Sequence, residues 1–126
     1  MTSNFVLGIA AINGFLSVAL GAFAAHALKD WLSESMLRVF ETGNHYQFIH
    51  TIALLVLAVL LKSAPKSLVL AASAGSFLVG ILLFSGSLYG MALSGITALG
   101  AITPVGGVAF LVGWTLLAIF AFRTSS

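Results

Sequence analysis

No cysteine occurs among the 126 residues. Disulfides, thiolate nucleophiles and thiolate metal sites are therefore excluded. Charge is nearly as scarce. Five basic and three acidic residues make up 6% of the chain, where soluble domains carry roughly 25%. The net charge of +2 does not indicate a nucleic-acid partner, because five scattered cations form neither patch nor stripe. Apolar residues supply 60% of the chain. A domain this short buries only about two-thirds of its chain area. The outer surface must then meet lipid rather than water.

The charged positions are Lys29, Asp30, Glu34, Arg38, Glu41, Lys62, Lys66 and Arg123. Between them lie runs long enough for membrane helices, which need roughly 20 residues each. The runs are continuously apolar, whereas barrel strands alternate over about ten residues. The expected architecture is all-α: four transmembrane helices in an antiparallel bundle forming one domain over residues 1–126. The expected spans are about 4–28, 44–62, 67–93 and 103–122. Ser94-Gly95, Gly100 and Thr103-Pro104 mark the break between the last two, with proline at a helix start. The first span lacks a basic residue before its apolar core and that core is too long for a signal peptide.

Between spans one and two, Asp30, Glu34, Arg38 and Glu41 recur at helical spacing. This predicts a short amphipathic helix over about 30–42, lying in the interface. Gly43 would break it, and Asn44 with Gln47 would cap span two. Four spans place both termini on one side, here the terminal face, with Lys62, Lys66 and Arg123. The opposite loop face holds Lys29, Arg38 and all three acids. The excess of cations on the terminal face predicts cytoplasmic termini.

Small residues predict packing seams, since they let membrane helices approach closely. Asn13, Ser17, Gly21 and Ala25 form one stripe; Ser73, Ser76 and Gly80, followed by Ser87 and Ser94, form another. The most polar span residues are expected at the loop face: His26, Tyr46, Gln47, His50, Ser85, Ser87, Tyr89 and Thr103. Buried polar groups in a membrane turn towards the bundle interior or a watery cavity. This cluster reads in three ways. It is a hydrogen-bond network joining helix ends, a pocket for a lipid-like or quinone-like ligand, or a metal or haem site with His26 and His50 as candidate ligands. The first needs no cofactor. No Asp, Glu, Lys or Arg lies within a span, which argues against a proton-coupled antiporter but leaves a histidine relay open. No nucleophile–base–acid set and no phosphate-binding glycine loop can be assembled.

Several motifs carry a family resemblance. Gly21-Ala22-Phe23-Ala24-Ala25-His26-Ala27-Leu28 resembles a GAFGAHxL signature, and Tyr46-Gln47-Phe48-Ile49-His50 a YQxxH signature. Phe84-Ser85-Gly86-Ser87-Leu88-Tyr89 and Ile102-Thr103-Pro104-Val105-Gly106-Gly107 match FSGSLY and TPxGG, with Gly113-Trp114 following. Together they resemble the YgdD/YwdK family, domain of unknown function family 423, across essentially the whole chain. Ala24 departs from the glycine common there. The resemblance implies a small four-span protein of the bacterial inner membrane and brings no activity with it. The functional expectation is a membrane-embedded binding or accessory protein. The alternatives are a subunit of an oligomeric transporter or channel, and a redox protein with a histidine-ligated haem or metal. Expected partners are membrane lipids, a lipid-like ligand and a second copy of the chain, but no nucleic acid.

Overall fold

A computed structural model describes residues 1–123. Helix α1 is Ser3–His26 and α2 is Glu34–Ser63. The third span begins with α3, Leu68–Gly80, passes through a π-helical turn, Ile81–Ser85, and ends with α4, Gly86–Ser94. After a 3-10 turn at Thr97–Ala101, α5 covers Thr103–Arg123. Four segments are long and apolar enough to cross a membrane, and no strand occurs among the described residues.

Hydroxyl side chains start three of the helices. Thr2, Ser33 and Ser67 each accept from the amide three residues on, at Phe5, Met36 and Leu70. Each thereby satisfies one of the free donors at a helix start. Gly95 ends α4 at φ +75°, the left-handed conformation that favours glycine.

Two expectations need correction. The amphipathic helix over 30–42 is not a separate element. Leu28–Asp30 forms a short 3-10 turn, and everything from Glu34 onward belongs to α2. Gly43 does not break the chain, and the cap is Ser33 rather than Asn44. The physical reason is packing. A Cβ on Gly43 would stand 3.2 Å from the Ser85 carbonyl oxygen and 3.2 Å from Leu88 Cβ. Glycine here lets α2 approach the third span.

Helix α2 and the third span form the centre. Helix α1 packs along α2, and α5 along the third span. Burial follows this order: 44% and 39% of the apolar stretches of the two central spans are buried, against 17% for α1 and for the fourth span. The outer two therefore present most of their surface to lipid or to another protein. An apolar core surrounds Leu54, Leu57, Leu61, Leu70 and Phe77 on the terminal side. A smaller one surrounds Leu28, Phe40 and Ala92 near the loop face.

Candidate functional site

A chain of amides and hydroxyls joins three helices. Gln47 Nε2 donates to Asn13 Oδ1 at 3.2 Å, and Tyr89 OH donates to Gln47 Oε1 at 2.6 Å. Asn44 Nδ2 donates to the Ser17 carbonyl at 2.8 Å and to Tyr89 OH at 3.3 Å. Asn13 Nδ2 continues to the Ile9 carbonyl at 3.0 Å. Each unpaired group in hydrocarbon would cost several kcal/mol, so mutual pairing holds α1, α2 and α4 in one register.

Nearby serines extend this pattern. Ser85 Oγ, at the last residue of the π-helical turn, donates to the Gly43 carbonyl at 2.7 Å. Ser87 Oγ lies 2.6 Å from Thr103 Oγ1 and donates to the Phe84 carbonyl at 3.0 Å, leaving Thr103 as the donor between the two hydroxyls. Ser73 Oγ donates to the Gly113 carbonyl at 2.8 Å. Ser73, Gly80 and Ser87 all face α5, while Ser76 is half-buried and Ser94 is exposed. On α1, Gly21 faces Asn44 and Ala25 is exposed on the groove described below.

His50 sits in a second, aromatic site. Trp114 Nε1 donates to His50 Nε2 at 3.0 Å, so Nε2 is an acceptor and the ring proton lies on Nδ1. Nδ1 is 2.8 Å from the Tyr46 carbonyl, which takes that proton as a hydrogen bond. Both nitrogens of a neutral imidazole are thereby used. The ring stacks on Phe110 at 3.6 Å between centroids and 8° between planes. Phe77 closes another side at 5.3 Å. A Cβ on Gly80 would meet the Phe110 ring at 2.3 Å, and one on Gly113 the Phe77 ring at 2.5 Å. Two glycines thus make room for the two rings.

The expected proximity of His26 and His50 is corrected by the α1–α2 register. Gly14 faces Thr51 and Gly21 faces Asn44. Extending that register sets His26 level with Val39, about 17 Å along the axis from His50 at 1.5 Å per residue. His50 lies near mid-depth, and His26 is exposed at the loop face. One metal ion cannot bridge them. Among the described residues no group of three His, Cys, Asp or Glu side chains comes together as a metal site. Tyr46 also parts from Gln47: its exposed ring lies 4.6 Å from that of Phe84, towards α5, while Gln47 turns towards α1 and Tyr89.

Asn13, Asn44 and Trp114 are site members that sequence reasoning had assigned to packing, capping and a motif end. Asn44 lies three residues before Gln47, a spacing that already put both amides on one helix face.

A lateral groove opens beside the polar chain, between α1 and α2 near the loop face. Its volume is about 1000 Å³. Val18, Ala22 and Ala25 give it an apolar wall, with Phe48 at its deep end. Arg38, Glu41 and Asn44 supply polar groups from α2. Ser17 borders it as well, 2% exposed, with a hydroxyl that has no hydrogen-bond partner.

Four apolar spans, three of them tied together by a buried polar chain, define an integral, multi-pass membrane protein. Residues 20–107 match the family model described as protein of unknown function, DUF423. The chain is 46% identical over 123 residues to a UPF0382 membrane protein of Haemophilus influenzae, covering 98% of both chains. It is 46% identical to the UPF0382 inner membrane protein YgdD of Escherichia coli, covering 98% of this chain and 93% of that one. It is 39% identical over 115 residues to the UPF0382 membrane protein YwdK of Bacillus subtilis, covering 91% and 94%. The chain belongs to this DUF423, or UPF0382, membrane protein family. No solved structure matches it.

Proposed function

We propose that this protein is a membrane-embedded binding protein for a lipid-like amphiphile, held in the groove between α1 and α2. The observation that carries the reading is the Ser17 hydroxyl, buried without a partner on the wall of that groove. A polar group in an apolar setting costs free energy unless something pairs with it. The hydroxyl is covered by protein atoms, so an ester or hydroxyl of a bound amphiphile becomes its partner as the groove wall around Ser17 parts. The groove offers apolar contact along α1 and charge at its rim, matching a molecule with a chain and a headgroup. Its volume is at the upper end of the range for ligand sites, roughly 300–1,000 Å³.

The protein resides in the bacterial inner membrane on this reading, in keeping with the names of its relatives. Both termini are cytoplasmic and the groove opens in the outer leaflet. Support comes from Lys62, Lys66 and Arg123 on the terminal face, against Lys29 and Arg38 on the loop face.

The test is native mass spectrometry of purified protein with its copurifying molecules. Ala22 and Ala25 are exposed on the groove wall, so Ala22→Trp fills the groove from outside the core. The variant is expected to keep its melting temperature in detergent and to lose the retained amphiphile. A folded Ala22→Trp protein that retains as much as the parent overturns the reading.

A second reading, a subunit of an oligomeric transporter or channel, draws on the 17% burial of the two outer spans. Light scattering in detergent discriminates: a monomer removes it, since α1 and α5 do not close a pathway with each other.

A further inference from the structure

The terminal face carries a cavity that the groove reading does not use. It lies where the loop between α2 and α3 meets the end of α5, and its volume is about 740 Å³. Lys66 and Arg123 line it together with Leu68, Val69 and Phe120. Lys62 stands in the last turn of α2 at the same end of the molecule. The three acids, Asp30, Glu34 and Glu41, all lie at the opposite end. Neither Lys66 nor Arg123 forms an ion pair among the described residues.

We propose that this cavity binds an anionic glycerophospholipid, its phosphodiester between Lys66 and Arg123. Charge complementarity selects the headgroup. Two cations line one recess with no protein carboxylate among its lining residues to neutralise them. Arg123 offers a planar pair of donors that fits phosphate oxygens, and Lys66 adds a mobile ammonium. A zwitterionic lipid would bring its own ammonium against these cations, so the preferred headgroup carries net negative charge. The apolar lining selects a lipid over a free phosphate. Leu68 is 84% exposed beside the cations, and Val69 and Phe120 line the same recess. Acyl chains running down the bundle cover these side chains while the phosphate stays at the charged rim. This site is independent of the groove between α1 and α2, and either can fail without the other.

The experiment is native mass spectrometry of delipidated protein in detergent. It is titrated with phosphatidylglycerol and phosphatidylcholine of identical chains. Each cation near an anionic lipid contributes enough that two should give a preference of about tenfold or more for phosphatidylglycerol. The double variant Lys66→Gln with Arg123→Gln should bring that preference below about threefold. Its melting temperature without lipid should not change, since both side chains are exposed. Lys66→Arg should retain the preference. No preference in the parent protein, or an undiminished one in the double variant, overturns the proposal. Displacement of phosphatidylglycerol by equimolar glycerol phosphate would mark a free-phosphate site and overturn the assignment to a lipid.

Discussion

Gly106→Ala tests the seam between the third and fourth spans. A Cβ at this position would lie 2.3 Å from Phe84 N, 2.7 Å from Phe84 Cα and 2.8 Å from the Leu83 carbonyl carbon. Ordinary contact begins near 3.4 Å. All three are backbone atoms of the π-helical turn, so no rotamer change can relieve the clash. The helices must part locally by about 1 Å, which forfeits a quarter to a half of each dispersion contact along the seam. The Ser87–Thr103 hydrogen bond at 2.6 Å lies on the same seam and stretches with it. Overpacking costs about 1–3 kcal/mol, and a clash with rigid backbone belongs at the upper end. The expected loss is about 2–3 kcal/mol, read from reversible unfolding in mixed micelles by tryptophan fluorescence. Gly8→Ala is the control, because nothing lies within 4 Å of a Cβ there. If Gly106→Ala unfolds within about 0.5 kcal/mol of Gly8→Ala, the close approach of α5 to the π-helical turn is not what holds the seam.

Trp114→Phe leaves the His50 acceptor unpaired and His50→Phe leaves the Trp114 donor unpaired, so each should cost about 1–3 kcal/mol. The double variant should cost clearly less than their sum; additive losses measured by the same unfolding assay would count against the pairing. Gln47→Leu strands both Tyr89 and Asn13 and should lower stability by about 1–3 kcal/mol, partly restored by adding Tyr89→Phe. For orientation, Ser35→Cys should react with an impermeant thiol reagent in intact cells and Ser63→Cys should not, and the reverse pattern would invert the proposed topology.

The spans were legible because charge-free runs report the solvent directly: an apolar stretch of about 20 residues in a chain this poor in charge belongs in lipid. Their register was not legible, because hydropathy counts residues without saying which neighbour each one meets. His50 shows the difference. Counted from a span starting at Asn44 it lies one turn below the membrane face. Counted from Glu34, and set opposite the middle of α1, it lies near mid-depth. Gly43 accounts for the difference. A glycine ends a helix when its conformation is left-handed, as at Gly95, and permits close packing when it is helical. Composition cannot distinguish those two roles; only the neighbouring span does. Asn44 was misread for the same reason, since an amide beside a presumed break resembles a cap, and its partners Ser17 and Tyr89 lie far off in sequence.

The division between paired and unpaired groups bears on where a ligand can act. Gln47, Tyr89, Asn13 and Asn44 bond one another or backbone, and both His50 nitrogens are taken. A ligand reaching any of these would have to break a bond already made in an apolar setting, which cancels much of what its own contact contributes. Groups without protein partners carry no such cost. The side chains of Ser17, Arg38 and Glu41 have none among the described residues, and all three residues border the α1–α2 groove. The Asn44 amide, fixed by the Ser17 carbonyl and Tyr89, also lines the groove. The polar chain therefore works as a brace, and on the proposed reading binding chemistry falls to the residues beside it. This separation has a consequence for mutants. Changes at Gln47 or Tyr89 should alter stability first and binding only through loss of fold. Arg38→Gln should leave stability in detergent nearly unchanged, because its side chain is exposed and unpaired, while weakening retention of the amphiphile. Were Arg38→Gln to destabilise the protein as strongly as Gln47→Leu, the brace and the groove would be one structure, and the groove could no longer be treated as a site in its own right.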